Sequence, residues 1–340
     1  MHNRYLSKTI LKTGIVFVGL PREAWETINK IEREPELGYD IAGLVMCAGD
    51  LVQETLPGLS AHPTASSLSE MAAKKTRPIN VIVVAPSMSQ NAEVTAELYR
   101  ELLHGASVVS LEKFYEDLLK RIPPFTFSES WFLANMEDQN KKIYDRLRLL
   151  IDIIFGSLMA IVFAVSFPVV APLIRLTSPG PIFYSHFRVG RNGTQFRIYK
   201  YRSMKALSAD GGAEINGVQY ATVNDSRITP FGKFLRKTRI DELPQFLNIF
   251  KNEMSIVGPR PERPEFVEQL SAQMPFYKLR HLIKPGLTGW AQIQNSYYGT
   301  IEENLRKLEF DLYYLKNRGI ILDATIILRT FNILGRMAGR

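Results

Sequence analysis

Residues 153–174, IIFGSLMAIVFAVSFPVVAPLI, decide the architecture. They hold no charged side chain. At 1.5 Å per residue, 22 residues make about 33 Å of straight helix, enough for the hydrocarbon core of a bilayer. Pro168 and Pro172 lie inside the run, and each removes a backbone donor and bends a helix. Lys141, Lys142, Arg146 and Arg148 precede it and Arg175 follows, so the positive-inside rule gives no direction of crossing. A re-entrant helix over about 149–175 satisfies both facts. It enters the membrane, breaks near Ser166 and Pro168, and returns to the same face, with Ser166 or packed protein serving the freed backbone groups. A spanning helix and a buried helix of a soluble core are the rival readings.

Upstream, short apolar runs alternate with helical patterns. Residues 15–18, 41–46, 79–85 and 106–111 read as strands, and 22–33 and 92–103 as helices. Such alternation predicts a doubly wound parallel sheet over 13–120. The first strand is followed by Gly19-Leu20-Pro21 and not by Gly-x-Gly-x-x-Gly, so the phosphate cradle of a dinucleotide site is missing. Residues 121–140, which open on Pro123-Pro124, read as a linker. Downstream, residues 182–189 and 194–201 flank Asn192-Gly193, a hairpin signal. Residues 231–238 form a short basic helix. Residues 320–340 form an apolar helix with interspersed arginines, lying either in the membrane interface or against the core.

Charge divides along the same line. Residues 1–140 carry 13 Lys/Arg against 18 Asp/Glu, whereas 141–340 carry 29 against 16. Only the second part seeks anions, which excludes a uniform nucleic-acid-binding protein. Cys47 is the one cysteine, so neither a disulfide framework nor a multi-cysteine zinc site is available, and a reducing compartment fits. His2, His62, His104, His186 and His281 show no metal-ligand spacing. Residues 1–12 lack the apolar core of a signal peptide.

The chemistry concentrates in residues 224–264. Asp241-Glu242-Leu243-Pro244-Gln245 reads as a helix N-terminus with Asp241 as cap, preceded by Arg236, Lys237 and Arg239. An ionised carboxylate is repelled by a phosphate, and a divalent metal with arginines is the usual remedy. Adjacent helical residues diverge by about 100°, so the two acids cannot do the same job: one can attack while the other holds a metal or handles a proton. Gly258-Pro259-Arg260-Pro261 fixes one guanidinium in a stiff turn suited to bidentate phosphate binding. Residues 280–290 combine Arg280, Gly286, Thr288, Gly289 and Trp290, a candidate nucleotide or sugar pocket together with Pro259. Arg188, Lys200, Arg202 and Arg280 join Arg260 as candidate phosphate ligands.

Four stretches, SPGPIFY (178–184), FRVGRNGTQFRIYKYRSM (187–204), RITPFGKFLRKTRIDELPQFLNIFKNEMSIVGPRP (227–261) and KPGLTGWAQIQ (284–294), resemble the bacterial sugar transferases. These are monotopic phosphoglycosyl transferases acting on polyprenyl phosphate. The resemblance spans nearly all of residues 141–340, and residues 13–140 more loosely resemble the Rossmann-like domain that precedes the transferase in larger members. Those members begin with a block of transmembrane helices that is absent here, which marks either a short form or a truncation. The resemblance implies an α/β chain: a Rossmann-like parallel sheet followed by a mainly helical membrane transferase domain with a re-entrant helix.

It further implies that Asp241 attacks the β-phosphate of a UDP-sugar and UMP leaves. Polyprenyl phosphate (undecaprenyl phosphate) then takes the phosphosugar from the aspartyl intermediate. Magnesium is implied as cofactor, with Glu242 as ligand or proton handler and Arg260 on the substrate phosphate. The setting implied is the cytoplasmic face of the bacterial inner membrane, at the start of exopolysaccharide, capsule, O-antigen or glycoprotein glycan assembly. Downstream glycosyltransferases are implied partners, and a homo-oligomer is compatible. Two rivals remain: a non-catalytic scaffold whose basic face binds anionic lipid, and an NAD-dependent sugar-nucleotide enzyme, which the missing glycine fingerprint disfavours.

Overall fold

The computed structural model describes residues 12–46, 62–74, 77–124, 131–132, 141–207, 212, 225–294 and 300–335. Cys47, most of the 121–140 segment and the final arginines lie outside them. The chain divides into two compact units, Met1–Ser128 and Glu129–Arg340.

The first unit is a five-stranded parallel sheet of order β3-β2-β1-β4-β5. Its strands are β1 (Thr13–Val18), β2 (Tyr39–Val45), β3 (Thr64–Ala65), β4 (Val81–Val84) and β5 (Ser107–Ser110). Helices α1 (Arg22–Arg33), α2 (Leu68–Ala73), α3 (Ala92–Leu103) and α4 (Leu111–Leu119) connect or follow them. The central strand is apolar and buried from Gly14 to Val18 because both its faces are covered, as parallel sheets require. Ile15 and Phe17 pack with Trp25 and Ile28 of α1 and Phe114 of α4, while Val16 and Val18 pack with Leu68 and Met71 of α2. β3 escapes the sequence reading because it is two residues long and pairs only with Leu44 and Val45.

The second unit is mainly helical and opens on α5 (Lys142–Thr177), 36 residues long. The interruption expected at Ser166 and Pro168 is absent: helical structure continues through both prolines. A proline deletes one i→i−4 bond and leaves the others standing. Four residues apart, the two prolines share one face, so both deletions bend the helix in the same sense. Ser166 returns its hydroxyl to the Phe163 carbonyl (3.2 Å).

One stripe of α5 faces protein. Tyr144, Arg148, Asp152 and Gly156, spaced by four, are buried in its first half, and Val170, Ala171 and Ile174 in its second. Phe163 and Phe167 are half-buried against the cluster of Val170, Ile174, Tyr201 and Leu235, while Ile154, Leu158, Ile161, Val165, Val169 and Leu176 are exposed. About a tenth of its most apolar 18-residue window is buried, so the soluble-core reading fails. Each such side chain left in water forgoes about 1.5–3 kcal/mol, a deficit only a bilayer or a partner removes.

Beyond α5 lies a hairpin of β6 (Phe183–Val189) and β7 (Gln195–Tyr201). Asn192 and Gly193 supply the positive φ values of its turn. The unit continues with α6 (Pro230–Thr238), α7 (Phe246–Phe250), β8 (Ser255–Val257), α8 (Pro264–Gln273), β9 (Gly286–Thr288), α9 (Trp290–Gln294), α10 (Ile301–Asn317) and α11 (Ile320–Gly335). Along α11, Asp323 and Ile326 are buried, while Ile321, Leu328 and Phe331 are exposed. That pattern leaves one apolar face of the helix open while the other is attached to the unit, and it favours the interface over the core-packed reading.

Candidate active site

The Asp-Glu pair does not sit at an α-helix start. α6 ends at Thr238, Arg239 adopts a left-handed conformation (φ 59°), and residues Ile240–Gln245 form a 3-10 helix that runs into α7. With three residues per turn, side chains i and i+3 eclipse. The six residues therefore sort onto three faces. Ile240 and Leu243 pack on the cluster built by Val170, Ile174, Tyr201 and Leu235. Glu242 and Gln245 line a narrow cleft with Arg188, Ile198, Lys200, Arg260, Pro261, Gly286 and Leu287. Asp241 shares the third face with Pro244, and both are buried.

Glu242 is clamped by cations. Its Oε1 accepts from Lys200 Nζ at 2.6 Å and Arg260 Nη2 at 3.2 Å, and its Oε2 from Arg239 Nη1 at 3.4 Å. Burial raises its pKa, but Lys200, Arg260 and Arg239 outweigh burial and hold the carboxyl well below the usual range. Asp241 is the opposite case. Burial and the neighbouring Glu242 push it up to about 6, against the pull of Lys200, Arg236 and Arg239. Its Oδ1 is buried without a hydrogen-bond partner. Two adjacent acids thus acquire separate roles: one fixed and anionic, the other unpaired and basic.

The hairpin supplies two of the cleft cations. Alternation along β6 and β7 puts Arg188 and Lys200 on one face of the ribbon. Burial lowers the pKa of both. Arg188 donates to the Pro261 carbonyl (3.0 Å) and pairs with Glu262 (3.6 Å). Glu262 also takes Lys307 of α10, and its pKa falls to about 2 because Lys307, Arg280 and Arg188 overcome its burial.

Arg260 is carried by crossed backbones. β8 and β9 pair in parallel, Gly258 N–H donates to the Thr288 carbonyl (2.8 Å), and Gly286 N–H to the Pro259 carbonyl (2.9 Å). A Cβ on Gly286 would sit 2.1 Å from Gly258 N, and one on Gly289 2.1 Å from Gly258 O. These glycines permit close backbone approach. Of the proposed nucleotide or sugar pocket, Gly286 alone lines the cleft. Thr288 bonds Thr330 (2.7 Å), and Trp290 is buried against Tyr313 with Arg329 over its ring.

Two candidate phosphate ligands are spent elsewhere. Arg202 donates to the carbonyls of Ile174, Ser178 and Pro179, closing the C-terminal end of α5. Arg280, 2 % exposed, forms two bonds to Asp311 Oδ2 (2.8 and 3.1 Å) and one to the Arg260 carbonyl (2.9 Å). It positions the Arg260 loop and is not among the residues that line the Glu242 cleft.

The membrane helix reaches the same loop. Arg148 Nε donates to Ser255 Oγ (2.9 Å) and its Nη2 to the Val257 carbonyl. Asp152 Oδ1 accepts from Ser255 Oγ and Ile256 N, both at 2.8 Å. Arg148, which the sequence shows only as one of the cations preceding the apolar run, holds the strand that delivers Arg260. Arg148→Met is expected to lower any catalytic efficiency that depends on Arg260 about tenfold or more while leaving the protein in the membrane fraction. Unchanged kinetics in that fraction would count against the coupling.

Sequence reasoning missed Gln245, Glu262, Lys307, Asp311 and Asp152. Gln245 closes the Asp241–Gln245 stretch without being singled out in it, and Glu262 directly follows the Gly258–Pro261 turn. For Lys307 and Asp311 the one signal was opposite charge at i, i+4, which Glu302, Glu303, Arg306, Glu309 and Lys316 on the same helix obscure.

Among the described residues no group of three His, Cys, Asp or Glu could cage a metal. Magnesium is usually held by one or two carboxylates plus substrate phosphates. The free Asp241 Oδ1 fits that donor set, whereas Glu242 could join it only by releasing a cation.

The family model "Bacterial sugar transferase" matches residues 143–336. A UDP-N-acetylgalactosamine-undecaprenyl-phosphate N-acetylgalactosaminephosphotransferase of Aeromonas hydrophila is 45% identical over 164 residues, 48% of this chain and 38% of that protein. A UDP-glucose:undecaprenyl-phosphate glucose-1-phosphate transferase of Escherichia coli K12 is 30% identical over 319 residues, 89% of this chain and 63% of that protein. The exopolysaccharide production protein PSS of Rhizobium leguminosarum bv. phaseoli is 38% identical over 187 residues, 52% of this chain and 90% of that protein. The chain spans less than two thirds of the length of the first two. With its long apolar helix and the matching model across α5 to α11, the chain belongs to the bacterial sugar transferase family.

Proposed function

We propose that this chain moves a sugar-1-phosphate from a UDP-sugar to polyprenyl phosphate on the cytoplasmic face of the inner membrane, releasing UMP. The observation that carries this reading is the unpaired, buried Asp241 oxygen beside a carboxylate clamped by Lys200, Arg239 and Arg260. The printed names of the Aeromonas and Escherichia relatives support it. They name different sugars, so the reading stops at the UDP-sugar class. Both halves of α5 pack on the one unit that holds the site, which supports a helix seated from one side of the membrane.

In this mechanism Asp241 Oδ1 attacks the β-phosphorus, and the bond from that phosphorus to the oxygen bridging to the α-phosphate breaks. UMP leaves with the electron pair. An oxygen of polyprenyl phosphate then attacks the same phosphorus, and the bond to Asp241 breaks, restoring the carboxylate. Lys200, Arg188 and Arg260 face the charge that builds on the diphosphate. Glu242 keeps Lys200 and Arg260 in register. Magnesium, when bound, supplies further neutralisation of the diphosphate. The lipid-linked sugar then passes to downstream glycosyltransferases.

Protein in bilayer nanodiscs, given a UDP-sugar and polyprenyl phosphate, is expected to release UMP; release of UDP would overturn the mechanism. Attack requires ionised Asp241, whose pKa is raised to about 6. The rate should therefore be near its plateau above pH 7 and fall about tenfold for each pH unit below 6. A profile flat to pH 4.5 would remove Asp241 as the titrating base.

A further inference from the structure

Gln245 is 2 % exposed, and its buried Nε2 has no hydrogen-bond partner. Leaving a buried amide unpaired is unfavourable, and native proteins carry few. Nothing in the fold demands this one. The 3-10 geometry aims the side chain to the same side as Glu242, into the cleft walled by Arg188, Lys200 and Arg260. A site with three cations takes an anion, and an N–H at its floor takes an acceptor oxygen.

We infer that Gln245 is a substrate-contacting residue whose amide N–H donates to a non-bridging oxygen of the donor's diphosphate. This rests on the proposed reaction for its substrate class. The contact is to the phosphate and not to the sugar, because the groups converging beside Gln245 are cations. Glu242, the one acid among them, is saturated by Lys200, Arg239 and Arg260.

The test uses the full chain in nanodiscs and the variants Gln245→Met, which keeps length without a donor, and Gln245→Glu, which adds a like charge beside Glu242. Gln245→Met should lower kcat/KM at least tenfold, equally for every UDP-sugar the parent accepts. It should weaken UDP binding by calorimetry several-fold, and leave the apparent Tm unchanged or higher, since a stranded donor is gone. Gln245→Glu should lose at least as much activity. Unchanged kinetics, a loss confined to one sugar, unchanged UDP affinity, or a fall in Tm matching the activity loss would each overturn the contact. If the parent binds UDP but forms no UMP, the proposed reaction fails, and the calorimetric comparison still decides Gln245.

Discussion

Asp241→Asn is expected to abolish UMP release, by about 10³-fold or more, while leaving the protein as stable as the parent or more so at pH 7–8. The two effects share one cause. Burial and Glu242 raise the Asp241 pKa from 3.8 to about 6, so the folded state binds this proton more tightly than the unfolded chain. A group with a raised folded pKa gives its full stabilisation below about 3.8 and loses it as pH rises through about 6. At neutral pH the parent therefore carries an ionised, desolvated carboxylate that the Asn variant lacks. The variant's apparent Tm should exceed the parent's at pH 8, and the gap should close as pH falls toward 4. Labelling of the parent, and not of the variant, by a radioactive phosphosugar from the UDP-sugar would place the covalent bond on this residue. A Tm loss in Asp241→Asn at pH 8 would mean that the carboxylate is held by partners, contrary to its unpaired Oδ1.

Much of this was legible in the residues because the signals were continuous. IVFV (15–18) reads as a covered strand because side chains on both faces of a sheet packed on both sides are apolar. Residues 153–174 read as membrane-seeking from the same kind of run. The dyad, the stiff Gly258-Pro259-Arg260-Pro261 turn and the hairpin were motif-sized. Direction was the illegible part. An α-helical reading of 241–245 puts Phe246 nearest Glu242's face; the 3-10 form substitutes Gln245. Arg202, Arg260 and Arg280 are equivalent as letters. Their uses diverge because one meets the open carbonyls at the end of α5, one a carboxylate in a cleft, and one the buried Asp311. Each proline removes one donor, but residues 142–177 keep enough remaining hydrogen bonds to stay helical, so the expected break does not form.

Glu242→Gln should behave as the mirror image of Asp241→Asn, losing stability as well as activity. Its pKa lies well below 4.5 because Lys200, Arg260 and Arg239 prevail over burial, so its contribution is present above pH 4.5 and lost as pH falls through the depressed value. Removing one partner of a buried pair typically costs about 3–5 kcal/mol, mostly from the charge left behind. Here the Arg239 and Arg260 side chains are 42% and 37% exposed and relax into water, whereas Lys200 at 16% does not. Stranded Lys200 therefore dominates, and about 2–3 kcal/mol is the expected loss, or about 5–10 °C in apparent Tm. Donor kcat/KM should fall about 10²-fold, since Lys200 and Arg260 lose the anion that holds them over the cleft. The double variant Glu242→Gln with Lys200→Met separates the two losses. Stability should return toward the parent because no uncompensated charge remains, while activity should fall further because a phosphate-facing cation is gone. Failure of the second substitution to recover Tm would show that Lys200 is not the charge Glu242 neutralises. Recovery of activity along with Tm would take Lys200 out of the phosphate site and leave that work to Arg188 and Arg260.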